Sequence, residues 1–229
     1  MKEFDKITDI FFDLDHTIYD FDKNAALTFQ QIFIDLNLTV PSDFMLHFKP
    51  INDYYWDLLA KKKITAEYLR FARLNDTFHK INMQVSDENI NQIANRFIEN
   101  LTNYNHVFDG AYEVLDYLKS KYRLHIITNG PDKVQELKLK NSNLNHYFCT
   151  ITNSELAGAK KPDSQIFNYA LNLAEVNSHQ SLMIGDNLDA DINGALKVGM
   201  QVIWFDEFKS KKEMDLITIN ELIELKNIL

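Results

Sequence analysis

Apolar residues along this chain follow two different periodicities, and the change between them divides the sequence. Before residue 19 and after residue 104, short apolar runs alternate with amphipathic stretches, as strands alternating with helices do. Alternation of this kind builds a parallel sheet with helices on both faces. Between these limits the apolar positions keep helical spacing. We therefore predict an α/β core, a Rossmann-like doubly wound parallel sheet of residues 1–18 and 105–229, with an inserted all-α helical cap subdomain of residues 19–104.

The individual elements follow from the same pattern. Asp109 is predicted to cap the first core helix after the insertion, and Ser86 to cap the last of about four inserted helices. Breaks between inserted helices are predicted near residues 39–41, 49–50, 63–65 and 85–87. The predicted core strands are 7–14, 124–128, 149–151, 181–184, 201–205 and 216–219, and the core helices are 110–120, 131–140, 164–174, 189–198 and a last one ending near residue 229.

Composition narrows the classes of function. The net charge of −9 argues against a nucleic-acid polymer as ligand, because such ligands need a basic surface. No apolar run approaches the length needed to cross a bilayer, and the first residues lack the apolar core of a signal peptide. The one cysteine, Cys149, cannot form an internal disulfide, which favours a reducing cytoplasm. We expect Cys149 to pack in a buried strand rather than to act as a nucleophile.

Two acidic clusters follow predicted strands. Asp13-Leu14-Asp15-His16-Thr17 comes after the apolar residues 10–12, and Gly185-Asp186-Asn187-Leu188-Asp189-Ala190-Asp191 comes after the apolar residues 182–184. Carboxyl ends of parallel strands meet at one edge of a sheet, where ligands bind. Carboxylates gathered there repel one another unless a cation lies among them, and Mg²⁺ prefers such oxygen ligands. The clusters therefore predict a magnesium site.

The first cluster also predicts a reaction. The carboxylate of Asp13 can attack phosphorus and form an aspartyl phosphate, and Asp15 can give a proton to the leaving oxygen and later take one from water. The alternative is a solvated turn, in which Asp and Thr are common. For the second cluster the alternative to metal binding by Asp186 is helix capping, which Asp189 alone could provide.

Two further clusters suit a phosphoryl group. Thr128-Asn129-Gly130 ends a predicted strand and offers a hydroxyl, an amide and backbone N–H groups to phosphate oxygens, although an ordinary strand-to-helix turn uses the same residues. Lys161, before Pro162, could balance the charges of the attacking acid and the transferring phosphoryl group. Most lysines are solvated surface groups, so this lysine alone carries little weight.

Taken together, the four clusters resemble the four signature motifs of the haloacid dehalogenase-like (HAD) hydrolase superfamily. In sequence order they are DLDHT, TNG, the lysine before Pro162 and GDNLDAD. The resemblance implies that Asp13 is the nucleophile and a Mg²⁺ ligand, that Asp15 is the acid/base and gives its backbone carbonyl to Mg²⁺, and that Asp186 is the third ligand. It implies that Thr17, Thr128, Asn129, Gly130 and Lys161 bind the phosphoryl group, with Asp191 and Asn187 around the metal. The inserted helices resemble the superfamily's C1-type cap.

The second acid, Asp15, places the chain nearer to the phosphatases and mutases than to the dehalogenases of that superfamily. A more specific resemblance is to the pyrimidine-type 5′-nucleotidases, and it implies a nucleoside 5′-monophosphate as substrate. The stretches that carry it beside the motifs are Tyr19-Asp20-Phe21, Ile51-Asn52 with Trp56, Ser154-Glu155 and Lys161-Pro162-Asp163. Candidate base-binding residues in the cap are Asn52, Trp56 and Arg73. Alternatives on the same core are a β-phosphoglucomutase-like phosphomutase, a sugar-phosphate or phosphoglycolate phosphatase, and a catalytically silent phosphate-binding module. The sequence leaves the oligomeric state open.

Overall fold

The computed structural model describes residues 4–210 and 216–229, and its centre is a six-stranded parallel sheet. The strand order is β3-β2-β1-β4-β5-β6. The predicted doubly wound α/β fold is therefore confirmed. The strands are β1 (Asp9–Phe12), β2 (Arg123–Thr128), β3 (Thr150–Asn153), β4 (Ser181–Gly185), β5 (Gln201–Phe205) and β6 (Thr218–Ile219).

The order of the strands explains where a site can form. From β1 the chain builds β2 and β3 on one side, and it then returns to add β4, β5 and β6 on the other. Every residue of β1 and of β4 is buried, as expected of strands that are covered on both faces. The carboxyl ends of β1 and β4 lie side by side at the point where the winding direction changes, which is where such sheets bind ligands.

Four of the predicted core helices have counterparts in the structure: 110–120, 131–140, 164–174 and the last one. The short helix Ser154–Ala157 was not predicted, and two further predictions are wrong. Asp109 does not cap the first of them, because Gly110 occupies the N-cap position with a left-handed φ of 78° and no side-chain cap. The predicted helix 189–198 is instead a π-helical turn, Leu188–Asn193, followed by a short α-helix. The helices are α5 (Ala111–Lys119), α6 (Asp132–Asn141), α7 (Ser154–Ala157), α8 (Ser164–Ala174), α9 (Gly194–Lys197) and α10 (Leu225–Ile228).

The chain divides into two compact units, one within Met1–Asp20 and Asn105–Leu229 and the other Phe21–Tyr104. The regular secondary structure of the second unit consists of helices joined by short connections. Ser86 caps its last helix as predicted, accepting a hydrogen bond from the N–H of Asn89 at 3.3 Å. Its helices are α1 (Phe21–Asp35), α2 (Phe44–Ala60), α3 (Ala66–Lys80) and α4 (Asp87–Asn100).

The predicted break at residues 49–50 is wrong, because Pro50 lies inside α2. A proline inside a helix removes a backbone hydrogen bond, so something must offset that loss. Phe48 and Asn52, on either side of it, are both buried, which shows that tertiary packing holds the helix through the proline. None of the described helices combines the length and the apolar character needed to cross a bilayer.

The prediction for Cys149 is also wrong. Cys149 is exposed, and it precedes β3 rather than lying within it. The neighbouring Phe148 takes the buried position. A short apolar run with strand-like composition does not reveal which of its members faces the core.

A buried polar network joins the beginnings of β1 and β2. The ring of His125 is fully buried, with Nε2 at 2.8 Å from Asp9 Oδ1 and Nδ1 at 2.8 Å from Thr150 Oγ1. Arg123 lies 2.8 Å from the same oxygen of Asp9. Burial lowers the pKa of His125, although Asp9 acts in the opposite direction. The neutral imidazole is therefore the form that the fold favours.

This network predicts a loss of stability in mild acid. The folded-state pKa of His125 lies below the unfolded-state value of about 6.5, so its contribution to stability is complete above that pH and decreases as the pH falls below it. We expect His125→Gln to reduce the slope of unfolding free energy against pH between about pH 7 and 5. Urea unfolding across that range measures the slope, with His179→Gln as the matched control. An unchanged slope in His125→Gln would contradict the expectation.

Candidate active site

Three neighbouring strands deliver the candidate residues to one edge of the sheet. Asp13 follows β1 directly, Thr128 is the last residue of β2, and Asp186 follows β4. Because β2, β1 and β4 are adjacent and parallel, these residues lie close together although they are distant in sequence. The TNG sequence thus comes to lie beside the two acidic clusters.

Three carboxylates meet at this edge. Oxygens of Asp13, Asp186 and Asp191 all lie within 4.8 Å of one another, and Asp13 and Asp191 are buried. Burial raises the pKa of Asp13 to about 7, with Lys161 opposing the shift and Asp191 adding to it. Burial and the charges of Asp191 and Asp13 raise the pKa of Asp186 as well. A set of oxygen ligands that repel one another in this way fits a hard divalent cation.

Lys161 is the cation that the chain itself supplies. Its Nζ contacts Asp13 Oδ1, lies 2.6 Å from Asp191 Oδ1 and donates to the carbonyl of Ile127 at 2.7 Å. Burial opposes the charge of this ammonium, but Asp13 and Asp191 outweigh that effect and hold the pKa of Lys161 above its usual value. The cluster therefore contains one ammonium and three carboxyl groups, so Lys161 alone cannot neutralise it.

Asn129 connects the TNG turn to the lysine segment. Its Nδ2 donates to the carbonyl of Lys161 at 3.0 Å, and the N–H of Lys161 donates to Asn129 Oδ1 at 2.7 Å. Its carbonyl accepts from Ser154 Oγ at 3.1 Å. The side-chain amide, which the sequence offered to phosphate, is therefore engaged within the protein, and any contact of Asn129 with an anion falls to its backbone N–H.

Two other residues from the acidic motifs also form hydrogen bonds within the protein. Thr17 Oγ1, which is fully buried, donates to Asp186 Oδ1 at 3.4 Å, so its proton is directed to a carboxylate of the site, and contact with phosphate stays a prediction for this residue. Asn187 Oδ1 accepts from the N–H groups of Asp189 and Ala190 at 3.0 and 2.9 Å, while its own N–H donates to Asp191 Oδ2 at 3.0 Å. Asn187 thus provides the cap that the sequence allowed Asp189 to provide.

The structure adds two residues that the sequence did not indicate. Lys138 Nζ lies 2.5 Å from Asp15 Oδ1, and Gln135 Nε2 lies 2.9 Å from Asp15 Oδ2. Burial works against ionised Asp15, but Lys138 and Gln135 outweigh it and lower the pKa of this carboxyl. The available signal was that α6 contains few apolar residues, so its buried face has to carry polar ones.

The cap candidates lie within the helical unit. Asn52 and Arg73 are both buried, and Arg73 Nη1 donates to Asn52 Oδ1 at 2.8 Å. The guanidinium carbon of Arg73 lies 5.6 and 5.1 Å from the ring centroids of Phe48 and Phe97, and burial lowers its pKa to about 10. Trp56 is partly exposed and packs beside a small cluster formed by Tyr55, Leu69 and Ala72.

Comparison with known proteins finds relatives over nearly the whole chain. A family model described as haloacid dehalogenase-like hydrolase matches residues 10–205. HAD-hydrolase YfnB of Bacillus subtilis is 28% identical over 220 residues, covering 96% of this chain and 92% of that protein. A crystal structure of YfnB bound to magnesium superposes with a TM-score of 0.85 at 29% identity, covering 97% of this chain and 98% of the other.

Two of the similar proteins are pyrimidine 5′-nucleotidases, and others are phosphatases named for different substrates. Pyrimidine 5′-nucleotidase YjjG of Escherichia coli is 27% identical, covering 96% of this chain and 96% of its own. Pyrimidine 5′-nucleotidase PynA of Streptococcus pneumoniae is 30% identical, covering 86% of this chain and 83% of its own. Other phosphatases match at similar identities.

The protein belongs to the haloacid dehalogenase-like hydrolase family, and the resemblance stated from its four motifs is confirmed. Within that family it is an enzyme of the phosphatase kind, a conclusion that agrees with the second acid at position 15.

Proposed function

We propose that this protein is a Mg²⁺-dependent phosphatase that hydrolyses nucleoside 5′-monophosphates, with preference for pyrimidine bases, through a phosphorylated Asp13. The observation that carries the proposal is the convergence of Asp13, Asp186 and Asp191 with Lys161 at one sheet edge, beside Asp15. The two pyrimidine 5′-nucleotidases among its relatives support the substrate class.

The metal ligands in this proposal are the carboxylates of Asp13 and Asp186 and the backbone carbonyl of Asp15. The clustered carboxylates and their raised pKa values support a cation at this place. Asp191 holds Lys161 from the other side, so it acts on the site through that lysine. When bound, the cation supplies positive charge to the phosphoryl oxygens.

The reaction then has two balanced steps. In the first, an oxygen of Asp13 attacks phosphorus, the ester P–O bond breaks, and the leaving oxygen takes a proton from Asp15. In the second, water attacks the same phosphorus and gives a proton to Asp15, and the P–O bond to Asp13 breaks to release inorganic phosphate. Thr128 and Lys161 hold the phosphoryl oxygens during both steps.

Asp15 has to change protonation state between these steps. With Lys138 and Gln135 on its two oxygens, its pKa is lowered and the base form required by the second step is favoured. A phosphate dianion brought beside it opposes that shift, because a like charge favours the protonated carboxyl. Substrate binding would therefore prepare the acid form for the first step.

For the cap we carry forward Asn52, Trp56 and Arg73 as the residues that read the base. The buried guanidinium of Arg73 has an amide as its hydrogen-bond partner and its Nε has none among the described residues, so it retains hydrogen-bonding capacity. A buried cation without a carboxylate is costly for stability, which supports a purpose other than packing.

Arg73→Met tests this role. We expect kcat/KM for dUMP to fall about 10- to 100-fold, the value of a hydrogen bond from a charged group, because the base loses its partner. Acetyl phosphate, which has no base, should be hydrolysed at the wild-type rate. Arg70→Met, at an exposed position of the same helix, is the matched control. Equal losses on both substrates would contradict a base-reading role.

The substrate class is tested by phosphate release in Mg²⁺ from dUMP, dTMP, UMP, purine monophosphates, sugar phosphates and phosphoglycolate. We expect the pyrimidine nucleotides to give the highest kcat/KM. Sugar phosphates preferred over every nucleotide would overturn the nucleotidase proposal, and isomerised sugar phosphate without released phosphate would indicate a phosphomutase. We also propose a cytoplasmic location, which is supported by the single cysteine.

A further inference from the structure

Gln135 lies between two residues to which the proposed reaction assigns different tasks. Its side chain is fully buried, and Nε2 donates to Asp15 Oδ2 at 2.9 Å and to Thr128 Oγ1 at 2.6 Å. One amide group therefore touches both the proton-transfer carboxyl and the hydroxyl at the end of β2. The motif pattern assigned no role to this residue.

The bond to Thr128 determines what its hydroxyl can do. A hydroxyl oxygen accepts at two lone pairs and donates one proton. Thr128 Oγ1 accepts from Gln135 Nε2 and from the N–H of Gly130 at 3.3 Å. With both acceptor positions filled by protein donors, its proton is directed to a third group. Thr128 is thereby set as a donor, which is the polarity that an anionic phosphoryl oxygen requires.

The packing of Gln135 shows that its position is closely defined. A Cβ added to Gly130 would lie 2.5 Å from both Cδ and Nε2 of Gln135, so a side chain at position 130 would displace this amide from its present place. Gln135 Oε1 is buried without a hydrogen-bond partner among the described residues. An unpaired buried carbonyl lowers stability, and the two hydrogen bonds that Nε2 donates to Asp15 and Thr128 offset part of that loss.

A second residue on the same face of α6 as Gln135 also contacts Asp15. Lys138, which follows Gln135 by one helical turn and is also buried, contacts Asp15 Oδ1 at 2.5 Å. Its Nζ also lies 5.0 Å from the ring centroid of Tyr19. The two carboxylate oxygens of Asp15 therefore have different partners, and Gln135 is the partner that it shares with Thr128.

We propose that Gln135 is a positioning residue that sets Thr128 as a hydrogen-bond donor to the transferring phosphoryl group and holds the Asp15 carboxyl in register with it. This inference rests on the proposed function, because it assigns Gln135 a task in that same reaction. Gln135 acts through Thr128 and Asp15 and does not itself touch the substrate.

Replacement of Gln135 by Met removes both donor bonds at nearly constant volume. Two substrates separate the consequences: a nucleoside 5′-monophosphate, whose alkoxide leaving group needs a proton, and p-nitrophenyl phosphate, whose phenolate leaves without one. The quantity compared is kcat/KM, because it covers the steps up to departure of the leaving group and excludes the hydrolysis step that both substrates share. We expect it to fall about 100-fold or more for the nucleotide, the usual contribution of general acid catalysis. For p-nitrophenyl phosphate we expect about tenfold, the value of the weakened Thr128 contact.

Replacement of Gln135 by Glu sharpens the test. The carboxylate has the same shape, but it accepts the hydroxyl proton of Thr128 and repels Asp15, so kcat/KM for the nucleotide should fall further than in Gln135→Met. Gln165→Met is the matched control, since Gln165 Nε2 donates to the carbonyl of Ala157 at 2.8 Å, away from this cluster. Thermal unfolding of each variant checks that the fold is retained.

The outcomes are distinct. A larger loss on the nucleotide than on p-nitrophenyl phosphate, with a native melting curve, supports the proposal. Equal losses on both substrates, or no loss, would overturn it. The wild-type substrate preference tests the proposed function separately. If a sugar phosphate is the better substrate, the nucleotidase assignment fails. The role of Gln135 is then tested by comparing the loss on that sugar phosphate, which is also an alkyl ester, with the loss on p-nitrophenyl phosphate.

Discussion

Asp13→Asn is expected to reduce phosphate release by at least about 10³-fold, the scale on which removal of a covalent nucleophile acts. The substitution should not unfold the protein. Burial and the neighbouring Asp191 already raise the pKa of Asp13 to about 7, so loss of its charge relieves repulsion among the three carboxylates, while Lys161 keeps its contact with Asp191. Without metal, the melting temperature should equal or exceed that of the wild type.

Asp189→Asn is the matched control for this prediction. Asp189 belongs to the second acidic motif but is exposed, and it lies outside the group of carboxylates within 4.8 Å of one another. It should keep wild-type activity. Phosphate release by Asp13→Asn at the control rate would remove Asp13 as the nucleophile, and the proposed two-step reaction with it.

Lys161→Met is expected to lower both activity and stability. Removal of the buried ammonium leaves Asp13 and Asp191 without their cation, a change that typically costs about 3–5 kcal/mol of unfolding free energy. Activity should fall by about 10²- to 10³-fold, because the transferring phosphoryl group also loses a fixed positive charge. Since Mg²⁺ can replace part of the missing charge, the rise in melting temperature on adding Mg²⁺ should be larger in this variant than in the wild type.

Lys160→Met is the matched control for Lys161→Met, because it removes a neighbouring lysine that lies outside the acidic cluster. Lys160 Nζ lies 2.8 Å from Ser154 Oγ and 3.4 Å from the carbonyl of Asn129, and it has no carboxylate partner in the cluster. Its loss should therefore be much smaller in activity and should leave the Mg²⁺ effect unchanged. Equal effects in the two lysine variants would show that Lys161 has no special part in balancing the acids.

Much of the core was predictable because its signals are local and repeated. An apolar run followed by Asp marks β1 and β4, and parallel pairing then requires Asp13 and Asp186 to meet, which they do. The span of α8 also agrees with its prediction, because its apolar residues keep one helical face. In both cases the residues that generate the pattern are also the ones that the fold buries.

Other features depend on contacts that no local pattern records. Gln135 and Lys138 meet Asp15 across more than a hundred residues of sequence, so α6 alone gives no reason to select them. The hydroxyl of Thr17 and the amide of Asn129 have residue types that suit phosphate, yet they bond within the protein. Residue type shows what a group can bind, whereas only the fold shows what it already binds.

Trapping the phosphorylated residue would show whether the Asp13 carboxylate takes the phosphoryl group from the substrate. Enzyme quenched in acid during turnover of dUMP with Mg²⁺ would be reduced with borohydride, which converts an aspartyl phosphate to homoserine, and digested for peptide mass spectrometry. We expect homoserine at position 13, dependent on both substrate and Mg²⁺. Turnover without modification at position 13, or with modification at Asp186 or Asp191 instead, would contradict it.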